Sequence, residues 1–281
     1  MTTRNVYATL AEFKNFFTAR GGTPSTDATD DGVIEQLLEA ASRFLDAKTG
    51  RAFYPSILTR QYDAPDGRII LFFTDVLEIL SILNGDGTSV ASTEYHLMPY
   101  DESPKWALRI KQTSTLIWEP DSDGQYEAVI DINAVEGYHP KYSSLAWASA
   151  GTLGAAIGDL TTLTFTMSAG HSVAAGRVLR IDNELFPVAS VVTNTVTVIK
   201  RGDNGSTAAE HLINTTVYQW QPMEEARNAV CEIVNTAYRR RFGQTVSGEA
   251  RVTAAGVVIS PRDIPAMAQA FIQTYQRRVF S

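Results

Sequence analysis

The spacing or the composition of the chain changes three times along its length, and each change marks a boundary that any fold must respect. In DDGVIEQLLEAASRFLDAKTG, residues Val33, Ile34, Leu37, Leu38, Ala41, Phe44 and Leu45 repeat at helical intervals between Asp30 and Gly50. Acidic residues open this segment and glycine closes it, as a helix dipole and a left-handed cap require. A shorter helix precedes it, because Thr9 and Glu12 have capping-box spacing and Leu10, Phe13, Phe16 and Phe17 share one face. From Thr59 to Tyr138 the spacing drops to two: Trp106, Leu108 and Ile110 alternate, as do Tyr126, Ala128, Ile130 and Ile132. Asp66-Gly67 and Asn84-Gly85-Asp86-Gly87 supply hairpin-turn chemistry, so an antiparallel sheet packed on the two helices is expected.

Residues 141–220 are different again: Thr, Ala, Gly and Val dominate, and the alternation of Leu163, Phe165 and Met167 and the Asp182-Asn183 turn predict a small all-β unit, a barrel or sandwich. Gly137-Tyr138-His139-Pro140 stops the strand before it, and Gln221-Pro222 starts a helix after it, so the unit reads as an insertion. The helix after Pro222 has Ala226, Val230, Ile233, Val234, Ala237 and Tyr238 on one face, and a small, polar stretch at 244–260, with a short strand at Val257–Ile259, separates it from a last helix at Ile264–Phe280. The fold class is therefore α+β, with a helical core and an antiparallel sheet in residues 1–140, an inserted all-β domain at 141–220, a core helix at 221–243 and a spacer with a terminal helix at 244–281.

Composition and charge narrow the function. With 281 residues and 44% hydrophobic content the chain can fill a proper core. No stretch approaches the roughly 18 apolar residues of a membrane span; Leu145–Gly158 is too rich in Ala and Gly. The single cysteine, Cys231, excludes an internal disulfide framework, fits a reducing cytoplasm and sits in an apolar helical pattern as an inert thiol. Of the net charge of −7, residues 222–281 contribute +3, eight Arg against five acidic residues, so residues 1–221 carry −10. An acidic body repels phosphate backbones and argues against wrapping nucleic acid.

The motifs point away from catalysis. VIKRGDNGSTAAEH, Val198–His211, looks at first like a phosphate-cradling loop, but its glycines are not followed by Lys-Ser/Thr and a helix, and the chain returns to strand chemistry. Asp121-Ser122-Asp123-Gly124 resembles half of a calcium loop whose later ligands are out of register, and reads as a polar hairpin turn. His96, His139, His171 and His211 occupy separate contexts without zinc spacing or an acid partner apparent in the sequence. No catalytic residue, cofactor or metal site is expected, and the chain is not expected to be an enzyme.

Three stretches, DDGVIEQLLEAASRFLDAKTGRAFYP, AVIDINAVEGYHP and QPMEEARNAVCEIVNTAYRRR, resemble the helix, strand-end and second-helix signatures of tailed-phage head-tail connector (adaptor) proteins, the gp6-like family. In that family the Gly-Tyr strand end leads almost directly to the Pro-started helix; here residues 141–220 interrupt the join. LRIDNELFPV and VTVIKRGDNGSTAAEH are similar to a small β module of other phage structural proteins. The resemblance implies a virion protein of the neck, assembled in the bacterial cytoplasm. It would form a ring, usually a dodecamer, beneath the portal protein, extend the channel through which double-stranded DNA passes without specific binding, and dock the next connector (stopper) or tail protein. Fibre or capsid contacts through the β insert are compatible with that role; the alternative is a tail or fibre-attachment protein that uses the β insert as its binding module, with an unrecognised cytoplasmic enzyme more remote. For such a chain the portal-docking residues are expected to be Ile264, Met267, Phe271, Tyr275, Arg277 and Arg278, and the ring interface Phe13, Phe17, Arg239, Arg240 and Arg241.

Overall fold

A computed structural model describes residues 4–23, 28–241 and 264–277. Among the described residues the fold is α+β, with two antiparallel sheets and most of the regular structure in strands. The chain divides into two compact units, one of helices (Met1–Arg51, Ala174–Arg177 and Pro222–Ser281) and one holding both sheets (Ala52–Val173 and Val178–Gln221).

In the helical unit, α1 (Leu10–Ala19) is closed at its start by the capping box: the Glu12 backbone N–H donates to Thr9 Oγ1 at 3.3 Å, and the Thr9 N–H donates to Glu12 Oε2 at 2.8 Å. Helix α2 (Ala28–Thr49) begins two residues before Asp30 and stops at Gly50, whose positive φ of 67° lets its N–H reach the Asp46 carbonyl. Ile34, Leu38, Ala41 and Leu45 of its stripe are buried. Helix α3 (Glu224–Arg241) buries Val230, Val234 and Tyr238, and α4 (Ala266–Tyr275) buries Ala268 and Phe271. Both α3 and α4 pack on α2. The expected spacer at 244–260, with its strand at Val257–Ile259, lies outside the described residues.

The first sheet contains β1 (Ser56–Tyr62), β2 (Ile69–Leu83), β3 (Tyr95–Met98), β4 (Lys105–Ile110) and β5 (Ile130–Glu136), in the order β1-β5-β2-β4-β3. Asp66-Gly67 therefore does not make a hairpin of neighbours, because β5 enters between β1 and β2 and pairs with both. The strand expected from Tyr126 begins only at Ile130: Ala128 has φ +53° and Tyr126 is exposed. Trp106, which alternates with the buried Leu108 and Ile110 in sequence, is exposed as well. The core beneath this sheet, centred on Ile70, Phe72, Leu108, Trp118 and Ile132, is built from strand and loop residues.

The second sheet contains β6 (Trp147–Thr152), β7 (Thr164–Thr166), β8 (Val178–Ile181), β9 (Glu184–Val192), β10 (Thr195–Val198) and β11 (Thr216–Trp220), in the order β6-β11-β8-β9-β10-β7. Its two ends meet at the bridge Leu153↔Met167, reinforced by Gly154 N–H to the Thr166 carbonyl (2.8 Å) and Ser168 N–H to the Thr152 carbonyl (2.9 Å), so the sheet closes on itself. Closure removes the exposed edges that a small open sheet would present. Asp182-Asn183 is the two-residue turn between β8 and β9, with Asp182 at φ +51° as a tight hairpin needs. Phe165, Met167, Leu179, Phe186, Val196 and Val217 fill the interior.

A third cluster joins the sheets: Ile57, Leu77 and Val135 of the first pack with Ala146, Val178, Leu185 and Trp220. The seam is also hydrogen-bonded. Ile57 N–H donates to the Asn204 carbonyl and Asn204 Nδ2 to the Pro55 carbonyl, each at 2.9 Å, and Arg180 Nη1 donates to Glu78 Oε2 at 2.7 Å.

Candidate functional site

The loop at Val198–His211 does cradle an anion, and the anion is the protein's own. Glu184 opens β9 and is almost fully buried. Its carboxylate accepts from Arg201 Nε (2.8 Å) and Nη2 (3.0 Å), from the backbone N–H groups of Gly202 (2.8 Å) and Ala209 (2.9 Å), and from His211 Nε2 (3.0 Å). Burial alone would raise the Glu184 carboxyl, but the hydrogen bonds from His211, Arg201 and the two backbone groups outweigh it and hold the pKa down to about 2. His211 also places Nδ1 2.8 Å from Asp182 Oδ2. Both ring nitrogens face carboxylate oxygens, and only the imidazolium donates from both. Burial pushes the His211 pKa down, and the two carboxylates more than reverse it, leaving it raised.

The loop's glycines serve geometry. Gly205 has φ +82°, and a Cβ there would lie 2.4 Å from the Ile57 carbonyl oxygen; Gly202 has φ +57°, and a Cβ there would lie 2.9 Å from the Ser206 carbonyl oxygen. This buried network was not legible in the motif itself. The signal for it is a charged residue, Glu184, opening the otherwise apolar run Leu185-Phe186-Pro187-Val188. His211 thus has the acid partners that its sequence context hides; His96, His139 and His171 do not join it. Asp121 forms a closed turn, its Oδ1 accepting from the N–H groups of Asp123 (2.9 Å) and Gln125 (2.8 Å). Among the described residues no group of three His, Cys, Asp or Glu is arranged to hold a metal ion. Burial pushes the Cys231 thiol up to about 12, which leaves it unreactive.

The residues expected at interfaces divide between interior and surface. Phe13 and Phe17 face inward: their rings stack at 5.9 Å, and Tyr238 meets both edge-on, at 6.2 and 5.5 Å. Each is at most 2% exposed, so in this arrangement they stabilise the helical unit and offer a neighbour no surface. Arg239 bends back over the Phe17 ring at 5.1 Å and donates to Asn235 Oδ1 at 2.9 Å. Arg240 and Arg241 close α3, and nothing of their side chains is described. Of the terminal stripe, Phe271 is buried and packs on Tyr275 at 4.7 Å, Ile264 is half-buried, and Met267 is exposed. Arg277 is half-buried, and its backbone N–H donates to the Thr49 carbonyl at 2.7 Å; Arg51 Nε reaches the Tyr275 carbonyl at 2.9 Å. These contacts tie α4 to the chain's own α2, and Arg278 lies outside the described residues.

Large apolar residues are exposed on both sheets, among them Leu71, Phe73 and Trp106 on strands of the first and three on loops of the second. Leu160, Leu212 and Ile213 are all more than half exposed. Arg201 Nη1 holds the first of these loops through the Asp159 carbonyl (2.9 Å), and the bridge Ile157↔His211 holds the second. The anion-centred network therefore fixes the loops that carry exposed aliphatic side chains. No helix among the described residues is long and apolar enough to cross a membrane. A scan of protein-family profiles finds no match to this chain, and a search of characterised proteins finds none either.

Proposed function

We propose that the chain is a head-tail connector adaptor of a tailed phage, with a helical adaptor core and an all-β domain inserted at residues 141–220. One observation carries most weight beside the resemblance. The two ends of 141–220 lie together: the His139 and Trp220 rings are 5.6 Å apart, Trp220 pairs with Trp147, and Gln221 N–H donates to the Ala146 carbonyl at 2.8 Å. A segment whose ends touch can be added to a parent fold without displacing it. Gly137, at the Gly-Tyr strand end on which the resemblance rests, has φ +141°, and a Cβ there would sit 2.6 Å from the Tyr54 carbonyl oxygen. That position accepts only glycine.

In this reading the subunits form a ring on the portal in the virion neck, usually of twelve, and the acidic body lets DNA pass without gripping it. The stopper or a tail protein docks on the ring. No enzymatic activity is part of the proposal, since the buried His211 is fully engaged by carboxylates that hold structure. A second reading, attachment of a fibre through the β domain, draws support from the exposed Leu160, Leu212 and Ile213. Sedimentation of the purified chain alone and with its cognate portal tests the first. Co-sedimentation with the portal at ring stoichiometry is expected; a stable two-fold dimer without portal affinity would contradict it, because a ring needs a heterologous, closing interface.

A further inference from the structure

An open cleft of about 610 Å³ lies beside the seam between the two sheets. Its floor is the outer face of the second sheet. Tyr218 of β11 stands opposite Arg180 of β8, and the Arg180 guanidinium lies 5.9 Å over the Trp147 ring of β6. One wall comes from the first sheet and the turn after it: the Tyr142 hydroxyl donates to Glu78 Oε2 at 2.6 Å, and Arg180 grips the same carboxylate. The other wall carries Asp182, Thr215 and Thr216.

We infer that this cleft binds a neutral polyhydroxylated ligand, an oligosaccharide. An anionic ligand would meet the carboxylates of Glu78 and Asp182, and a cationic one the guanidinium of Arg180. An apolar ligand would desolvate Asp182 and the threonine hydroxyls without replacing their water. A sugar matches both kinds of surface: its C–H face lies on an aromatic ring, and its hydroxyls donate and accept in turn. The cleft supplies those partners. Tyr218 is 41% exposed, and the Asp182 side chain is 63% exposed, with only its Oδ2 engaged, by His211. Trp147 Nε1 is shielded from bulk water and closes no hydrogen bond of normal geometry within the protein. The ion pair Glu78–Arg180 and the Tyr142 hydroxyl are locked to one another, so the cleft is preformed and binding requires little ordering. The inference is independent of the connector reading and holds for a fibre-attachment role equally well.

The test is saturation-transfer NMR and tryptophan fluorescence on the full chain with maltotriose, cellotriose and triacetylchitotriose, and with trigalacturonate as an anionic control. At least one neutral trisaccharide is expected to bind saturably with Kd of about 1 mM, and trigalacturonate more weakly. Tyr218→Ala, on an exposed ring outside the seam, is expected to weaken binding by about tenfold or more with an unchanged thermal transition. Thr216→Val is the second variant, should Tyr218→Ala lower stability, and is expected to weaken binding in the same direction. Absence of binding by all three neutral sugars at about 10 mM, tighter binding of trigalacturonate, or unchanged affinity in both variants overturns the inference.

Discussion

Glu184 shows how much a single side chain can organise. Five donors converge on a carboxylate with no exposure of its own, and they come from Arg201, Gly202, Ala209 and His211 of one loop. Breaking a buried pair by removing one partner leaves the other charge stranded, at a cost of about 3–5 kcal/mol. Glu184→Gln is therefore expected to lower stability by about that amount in chemical denaturation, and Arg201→Met to act similarly. The pH dependence follows from the two shifts. The raised pKa of His211 means that its contribution is complete below the ordinary histidine range and is lost as pH rises through the folded value. The lowered pKa of Glu184 means that its contribution is present above the ordinary carboxylate range and is lost as pH falls toward about 2. Wild-type stability should decline as pH rises from the ordinary histidine value through the raised one, and His211→Gln should remove that slope in a series of melts; an identical slope in the variant would assign it to other groups. Gly137→Ala should be strongly destabilising for a different reason, since no rearrangement of a side chain relieves a clash with the Tyr54 backbone.

At the scale of elements, what was legible depended on whether the signal was local. The capping box of α1, the stripe and glycine stop of α2 and the Asp182-Asn183 hairpin were readable because helices and tight turns are decided by residues a few positions apart. Strand partners were not: the Asp66-Gly67 turn announces a reversal, and it says nothing of β5 arriving some sixty residues later to lie between β1 and β2. Likewise the apolar stripe of α4 shows that one face wants cover, without showing which surface covers it. The structure buries Phe271 on a helix that packs on α2 and α3 of the same chain. Phe271→Ala should then cost about 3–5 kcal/mol and lower the melting temperature of the free subunit. An unchanged melting temperature with lost portal binding would instead return Phe271 to the docking surface that the sequence suggested. Met267, exposed on the same helix, is the better candidate for contact with a partner.

At the scale of the molecule, the second sheet has a closed core of its own and a seam with the first. Replacing residues 141–220 with a short Gly/Ser link is expected to preserve the far-UV helical signal, because no residue of α1 to α4 lies in that stretch. The same deletion uncovers Ile57, Leu77 and Val135, whose lost burial is worth on the order of several kcal/mol, so the thermal transition should fall. Complete loss of helical signal would show that the strands are indispensable to the whole chain. The account as a whole rests on assembly. Its most direct test is negative-stain electron microscopy of the purified chain mixed with its cognate portal: a closed ring stacked coaxially on the portal, with twelve-fold averages and the β domains as separate outer density, is the predicted result. Portal rings that remain bare while the chain stays unassembled at saturating concentration would contradict it.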